Sequence, residues 1–214
     1  MTRPTQLVLV AGTGTEIGKT WVAAGLATEL VRRGSAVAAR KPAQSLEPGQ
    51  GPTDADVLAA ATGEPPDEVC LPSRTYHVPM APPMAAAVLG RPVPTIAELV
   101  DELVWRPGTD VGLVETAGGA ASPQADDGDV ADLARALVPD VVVVVADAGL
   151  GTIHAVRSTL LALAGVPGAV RLHLNRYDPD DDLHRRNRRW LIERDGLDPT
   201  TDVAGLADAV TVGR

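Results

Sequence analysis

The chain contains no phenylalanine and a single cysteine, and aromatic residues make up only 2% of its 214 residues. A lone Cys70 cannot close an internal disulfide, which excludes a disulfide scaffold and fits a reducing compartment. Its expected role is that of a small buried hydrophobe. Without phenylalanine the core has to come from Val, Leu, Ala and Ile. A hydrophobic content of 45% supplies enough of them to exclude a disordered chain. Positive charge is also scarce: 28 acidic against 19 basic residues leave a net −9, which disfavours nucleic acid or an anionic membrane as the main partner. No apolar run is long enough to span a bilayer, and the N-terminal one is too short for a secretory core, so a cytoplasmic protein is expected. No repeat or low-complexity linker divides the sequence, and its length suits one domain over 1–214.

What is present centres on Gly12, Thr13, Gly14, Thr15, Glu16, Ile17, Gly18, Lys19 and Thr20. This stretch follows the apolar run Leu7-Val8-Leu9-Val10-Ala11 and precedes residues 21–27, whose apolar positions suit a helix. Strand, glycine-rich turn and helix together make a phosphate-binding loop. The open N–H groups and dipole of a helix start attract an oxyanion, and glycine lets the main chain wrap close to it. Lys19 would reach the β- and γ-phosphates and Thr20 would place a hydroxyl on Mg²⁺. The general pattern has glycine five positions before Gly18; here that position is Thr13, and the glycine is one place earlier, at Gly12.

Strand and helix patterns then alternate. Residues 36–40 read as a strand that Pro42 stops, which places Lys41 and Ser45 on a loop at its C-terminal edge. Residues 48–52 read as a turn-rich loop, and Thr53 or Asp54 as the cap of a short helix ended by Gly63. Six prolines between 64 and 83 predict an irregular stretch, possible substrate loop, before a short helix over 84–89. Thr95 and Glu98 have capping-box spacing for a helix through Leu103 and Val104. Residues 111–114 read as a strand ending at Glu115, Asp129 as the cap of a helix over 130–138, and the valine run 141–146 as a strand buried on both faces. Residues 149–152 lead into another helix, and 170–174 form a strand ending at Asn175 and Arg176. A last long helix begins at Asp180, Asp181 and Asp182, with its arginines on a solvated face. The fold class is therefore α/β: a parallel sheet with helices on both faces. Lys19, Lys41, Glu115, residues 149–152 and Asn175 all fall just past strand ends, and those ends share one sheet edge.

On these residues the chain resembles the dethiobiotin synthetases, ATP- and Mg²⁺-dependent ligases built as P-loop NTPases. The family loop Gly-Thr-Asp/Gly-Thr-x-Val/Ile-Gly-Lys-Thr, offset glycine included, is matched throughout by residues 12–20. Its Lys-Pro-x-x-Ser/Thr-Gly resembles Lys41-Pro42-Ala43-Gln44-Ser45, and its Val-Glu-Gly-Ala-Gly-Gly resembles residues 114–119. Its Asp before a short helix matches Asp54, with Asp56 as the alternative. The resemblance runs over residues 7–176. It implies carboxylation of one amine of 7,8-diaminopelargonic acid by CO₂, phosphorylation of the carbamate by ATP, and ring closure by the second amine. Implied roles are Lys19, Lys41, Ser45 and Thr15 at the reacting groups; Thr20, Asp54 and Glu115 on Mg²⁺; and residues 12–20, Glu115, Gly118, Asn175 and Arg176 on ATP, with Asn175 at the adenine edge. Leu150, Gly151, Thr152, Ile153 and His154 would receive the substrate carboxylate across a homodimer. Leu46 and Thr116 replace family glycines and put side chains where the backbone nears ligand, and His154-Ala155 replaces a common Asn-His. Another carbamate or carboxylate substrate, or nucleotide binding without turnover, stays open. Residues 12–16 contain no lysine, unlike the signature loop of the partitioning ATPases.

Overall fold

Five apolar runs pair into one parallel sheet, and everything else is hung on its two faces. The computed structural model describes residues 3–47, 49 and 51–211, so Pro48 and Gln50 of the expected turn lie outside the described residues. In chain order come β1 (Gln6–Gly12), α1 (Lys19–Arg32), β2 (Val37–Arg40), β3 (Gln44–Ser45), α2 (Asp54–Thr62), α3 (Pro66–Val69), β4 (Thr75–Tyr76), α4 (Pro82–Val88) and α5 (Ile96–Asp101). Then follow β5 (Val111–Glu115), β6 (Pro123–Ala125), β7 (Gly128–Asp129), α6 (Val130–Leu137), β8 (Val141–Asp147), α7 (Thr152–Ala162), β9 (Ala169–Asn175), α8 (Asp182–Asp195) and α9 (Val203–Thr211). The main sheet has the order β2-β5-β1-β8-β9. Its registers align Val10 with Glu115 and Gly12 with Val145, which brings the C-terminal ends of the central strands together.

The period of two along a strand decides which side each residue serves. Val8, Val10, Val143 and Val145 pack with α1, α2 and α9, while Leu7, Leu9, Val142 and Val144 pack with α6, α7 and α8. Valine and alanine fill these layers where aromatic residues are missing. Cys70 is buried, and burial pushes its thiol up to about 11, consistent with an inert packing role.

Capping boxes form at Thr53 with Asp56, at Thr95 with Glu98 and at Asp129 with Asp132, fixing where α2, α5 and α6 begin. Several expectations are corrected. Ser45 lies in a two-residue strand paired with Tyr76 rather than on a loop. The proline-rich stretch 64–83 is built from short elements, because Pro66 and Pro82 occupy first helical positions, where a missing N–H costs nothing. The helix after Thr95 ends at Asp101 instead of running through Val104. The helix opened by Asp181 is not the last, since α9 follows and buries Leu206, Ala207 and Val210. Among the described residues no helix is long and apolar enough to cross a membrane.

At the edge of the sheet the ring of Trp105 lies against Gly112, where a Cβ would meet the ring at 2.7 Å and Pro4 at 2.6 Å. The buried Arg40 sits 5.1 Å from that ring and pairs with buried Glu64 at 2.8 Å. Gly112→Ala is therefore expected to cost about 1–3 kcal/mol through overpacking, lowering the melting temperature by roughly 2–4 °C per kcal/mol in a chain of this size. Thermal and urea unfolding check this, and an unchanged midpoint refutes it.

Candidate active site

The loop between β1 and α1 is shaped by contacts from both directions. Gly18 caps α1 in the left-handed region (φ 87°) and supplies no side chain to the helix start, so no capping side chain competes for its first N–H groups. Gly12 has a separate reason to be glycine: the stem of Lys19 folds across it, and a Cβ there would stand 2.6 Å from Lys19 Cδ. Lys19 Nζ then donates to the Gly14 carbonyl at 2.7 Å. Thr13 N–H donates to Val145 of β8 at 3.0 Å. From β9, Asn175 Nδ2 donates to the Ile17 carbonyl at 2.8 Å, while Arg176 donates to the Glu16 carbonyl at 2.9 Å and to Asp147 at 3.0 Å. A Cβ on Gly18 would meet Asn175 Nδ2 at 2.2 Å. One hydrogen of the amide expected at the adenine edge is thus engaged with the loop, and Asn175 also lines a groove beside it. Thr15 and Glu16 are exposed on the loop's outer side.

The chain has only two lysines, Lys19 and Lys41, and the fold brings both to one sheet edge. Lys41 follows β2 and is 3% exposed; its Nζ lies 2.9 Å from Glu115 Oε1 and 2.8 Å from Asp54 Oδ2. Thr20 Oγ1 lies 2.8 Å from both Asp54 Oδ1 and Glu115 Oε1. Asp56 does not enter this group, because its carboxylate closes the capping box with Thr53. Burial alone would depress the Lys41 ammonium, but Glu115 and Asp54 outweigh it and raise its pKa. Burial lifts the Glu115 carboxyl, with Lys41 pulling back. Asp54 would also be lifted by burial, yet Lys41 holds it below the usual carboxylate range. Lys19 is lowered to about 8, first by desolvation and then by the Lys41 charge, with Glu115 and Asp54 opposing.

These residues fit a divalent cation. Two carboxylates and a hydroxyl are the hard oxygen donors Mg²⁺ favours, and Glu115 Oε2 is buried without a hydrogen-bond partner among the described residues.

A second groove, of about 440 Å³, runs between the loop and α7 and is lined by Thr13, Gly14, Thr15, Gly119, Ser122 and His154. Gly118 (φ 68°) turns the chain here, and Ser122 accepts from Gly119 N–H at 2.9 Å. Gln124, which sequence reasoning missed, braces this turn by hydrogen bonds to both the N–H and the carbonyl of Ala117. Thr116 is a correction: its side chain does not enter the ligand space but turns into the sheet, its hydroxyl 3.3 Å from the Val10 carbonyl. At the start of α7, Leu150 is 93% exposed, Gly151 is left-handed (φ 91°), Ile153 is half-buried and Thr152 Oγ1 is buried without a partner among the described residues. Ser45 Oγ is likewise buried and unpartnered. His184 is half-buried and accepts from Asp178 N–H at 3.0 Å.

Residues 6–171 match a family model described as an AAA domain. The ATP-dependent dethiobiotin synthetase of Parafrankia sp. is 43% identical over 161 residues, covering 74% of this chain and 66%, just under two thirds, of that enzyme. The synthetase of Anaeromyxobacter dehalogenans is 40% identical over 82% of this chain and 78% of its own length. That of Rhodococcus erythropolis is 37% identical over 89% and 85%. Among solved structures, a plasmid partition protein from Borrelia burgdorferi superposes with a TM-score of 0.58 at 12% identity, covering 98% of this chain and 96% of that one. At that identity the likeness concerns the fold alone.

With two lysines in the chain, each side chain can be followed separately by selective ¹³C labelling. Lys19 is expected to titrate near pH 8 in the free protein. Phosphate oxygens favour the ammonium form, so MgATP should raise that pKa, and binding at pH 8.5 should take up protons. Lys41 should stay charged throughout. NMR titration and calorimetry in buffers of different ionisation enthalpy check this; a Lys19 resonance titrating near 10.5 in the free protein refutes it.

Proposed function

The chain belongs to the dethiobiotin synthetase family, and from that premise we propose that it converts 7,8-diaminopelargonic acid, CO₂ and MgATP to dethiobiotin, ADP and phosphate. The observation that carries this reading is the buried Lys41 held between Glu115 and Asp54, beside Thr20 of the phosphate loop. A phosphoryl transfer to a carbamate gathers negative charge on both reactants, and fixed cations in a desolvated edge are what lowers such a barrier.

In this reading one substrate amine attacks CO₂ and loses a proton to give a carbamate. A carbamate oxygen attacks the γ-phosphorus, the bond to the β–γ bridging oxygen breaks, and ADP leaves. The second amine then attacks the carbonyl carbon of the mixed anhydride, phosphate departs with its C–O bond, a proton is lost and the ring closes. Lys19 and Lys41 neutralise the transferring group and the carbamate. Thr15 and Ser45 offer hydroxyls to their oxygens, and residues 12–18 wrap the phosphates. Thr20, Asp54 and Glu115 would hold Mg²⁺, which supplies charge neutralisation on the phosphate oxygens when bound. The substrate carboxylate is assigned to the start of α7, at residues 150–153 with His154, contributed by the second subunit of a homodimer. Exposed Leu150 and unpartnered Thr152 Oγ1 support that assignment. A cytoplasmic location goes with this chemistry.

A second reading keeps the nucleotide chemistry and changes the amine. It rests on His154 lining the groove where the family commonly carries Asn-His.

The decisive assay is phosphate and ADP release from MgATP and bicarbonate, with and without the diamine. Release that depends on the diamine, and falls at least about a hundredfold in Lys41→Ala as expected for loss of one fixed transition-state partner, supports the first reading. Nucleotide binding without diamine-dependent release overturns it in favour of the second.

A further inference from the structure

β9 carries two polar side chains on one face, His173 and Asn175, while Leu172 and Leu174 enter the opposite core. Both line a groove of about 600 Å³ that begins at Gly18 of the phosphate loop and is walled by Trp21, Tyr177 and Asp202. If a nucleoside triphosphate occupies that loop, as proposed above, this groove is where its base extends.

His173 Nδ1 lies 2.9 Å from Thr200 Oγ1, and that hydroxyl lies 3.3 Å from the Leu172 carbonyl. A hydroxyl has one hydrogen; when it is directed at the carbonyl, Oγ1 accepts from Nδ1–H. Nε2 is then left with a lone pair. Burial pushes the ring down to about 4, with Asp202 opposing, so it is neutral at pH 7. The amide of Asn175 donates one Nδ2 hydrogen to Ile17, leaving Oδ1 and the second N–H on offer. Arg176, the cation of this groove, is tied to Asp147 and Glu16. Asp202 adds another acceptor, part of it taken by Gly205 N–H at 2.8 Å.

We propose that His173 is a specificity-determining residue whose Nε2 accepts a hydrogen from the exocyclic amine of the base. The groove then takes adenine or cytosine in preference to hypoxanthine, guanine or uracil, which present a carbonyl oxygen at the same position. An oxygen there would face a lone pair with no hydrogen between, and a polar site with an unpaired partner discriminates strongly.

ATP and ITP differ in that amine and in the neighbouring ring nitrogen, which carries a hydrogen in ITP, and CTP and UTP differ likewise, so calorimetric affinities for the two pairs, compared with and without the His173 ring, isolate the contact. The protein should bind ATP about tenfold or more tightly than ITP. His173→Leu should collapse that ratio to about twofold or less by weakening ATP and relieving the clash with ITP. Thr200→Val, which frees the ring to carry its hydrogen on Nε2, should also reduce the ratio, and it carries the test should His173→Leu fail to fold in a thermal melt. Equal ATP and ITP affinities in the unaltered protein overturn the proposal. So does an ATP/ITP ratio that survives in folded His173→Leu. If inorganic tripolyphosphate binds as tightly as ATP, the base is not gripped and the proposal falls while the phosphate loop stands. If neither ATP nor tripolyphosphate binds, the functional reading itself fails and takes this one with it.

Discussion

Lys41 sits in the protein interior with one charge and two carboxylates, and the upper edge of the sheet is arranged to make that tolerable. Its Nζ is 2.9 Å from Glu115 and 2.8 Å from Asp54, so the end of β2, the end of β5 and the start of α2 meet on one ammonium. A buried charge stripped of a partner is costly, on the order of 3–5 kcal/mol. The three elements are therefore bound to one another by their chemistry as well as their packing. Thr20 joins the same two carboxylates to the first turn of α1. Gln44 completes the bracket: its Oε1 accepts from Ala55 N–H at 3.0 Å and its Nε2 donates to Thr75 at 3.0 Å. A charge cluster of this kind is poised to exchange partners with an incoming anion and cation.

The distribution of cations follows the same logic. Outside the cluster every basic side chain other than histidine is arginine, whose planar fork suits permanent pairs such as Arg74 with Glu102, at 2.7 and 2.6 Å. An ammonium is a compact point charge that shifts its pKa and moves between oxygens with little geometric demand. Keeping lysine only at 19 and 41 separates the cations that hold the fold from the cations placed at the candidate site.

Much of this was legible in sequence because it is carried by local rules. The apolar runs of β1 and β8, the caps at Thr53, Thr95 and Asp129, and the glycine-rich turn before Lys19 each declare themselves within a few residues. So did the gathering of marked residues at one edge, because parallel strands place their ends together. What was not legible depends on distant partners or on weak contrast. Helix α9 has two strong apolar anchors, Leu206 and Val210, among alanines and a glycine, and it is stabilised by packing on α1 and β9. Pro66 and Pro82 read as breakers when they are helix starters. Asp54 and Asp56 are indistinguishable by composition, and the capping box separates them. The inward turn of Thr116 and the use of the Asn175 amide on Ile17 are set by β1 and the phosphate loop, far away in sequence.

The two halves of the site are held to different tolerances, and that difference bears on how the chain could diverge. The phosphate loop is gripped from β8 through Thr13 and from β9 through Asn175 and Arg176, and its lysine is laid over Gly12. Loss of the Asn175 amide leaves the Ile17 carbonyl without its donor, and a side chain at Gly12 displaces the Lys19 stem. In the groove along α7, Gln124 braces the facing turn but the α7 side is looser: His154 is exposed, Leu150 is almost wholly so, and the Thr152 hydroxyl has no partner among the described residues. Substitutions at these exposed α7 positions should cost little in stability. Thr116 shows the limit of the rule, since a side chain added beside Glu115 is accommodated only by turning into the sheet and bonding to β1. The sequence departure at His154 has no such inward partner among the described residues and lines the groove along α7.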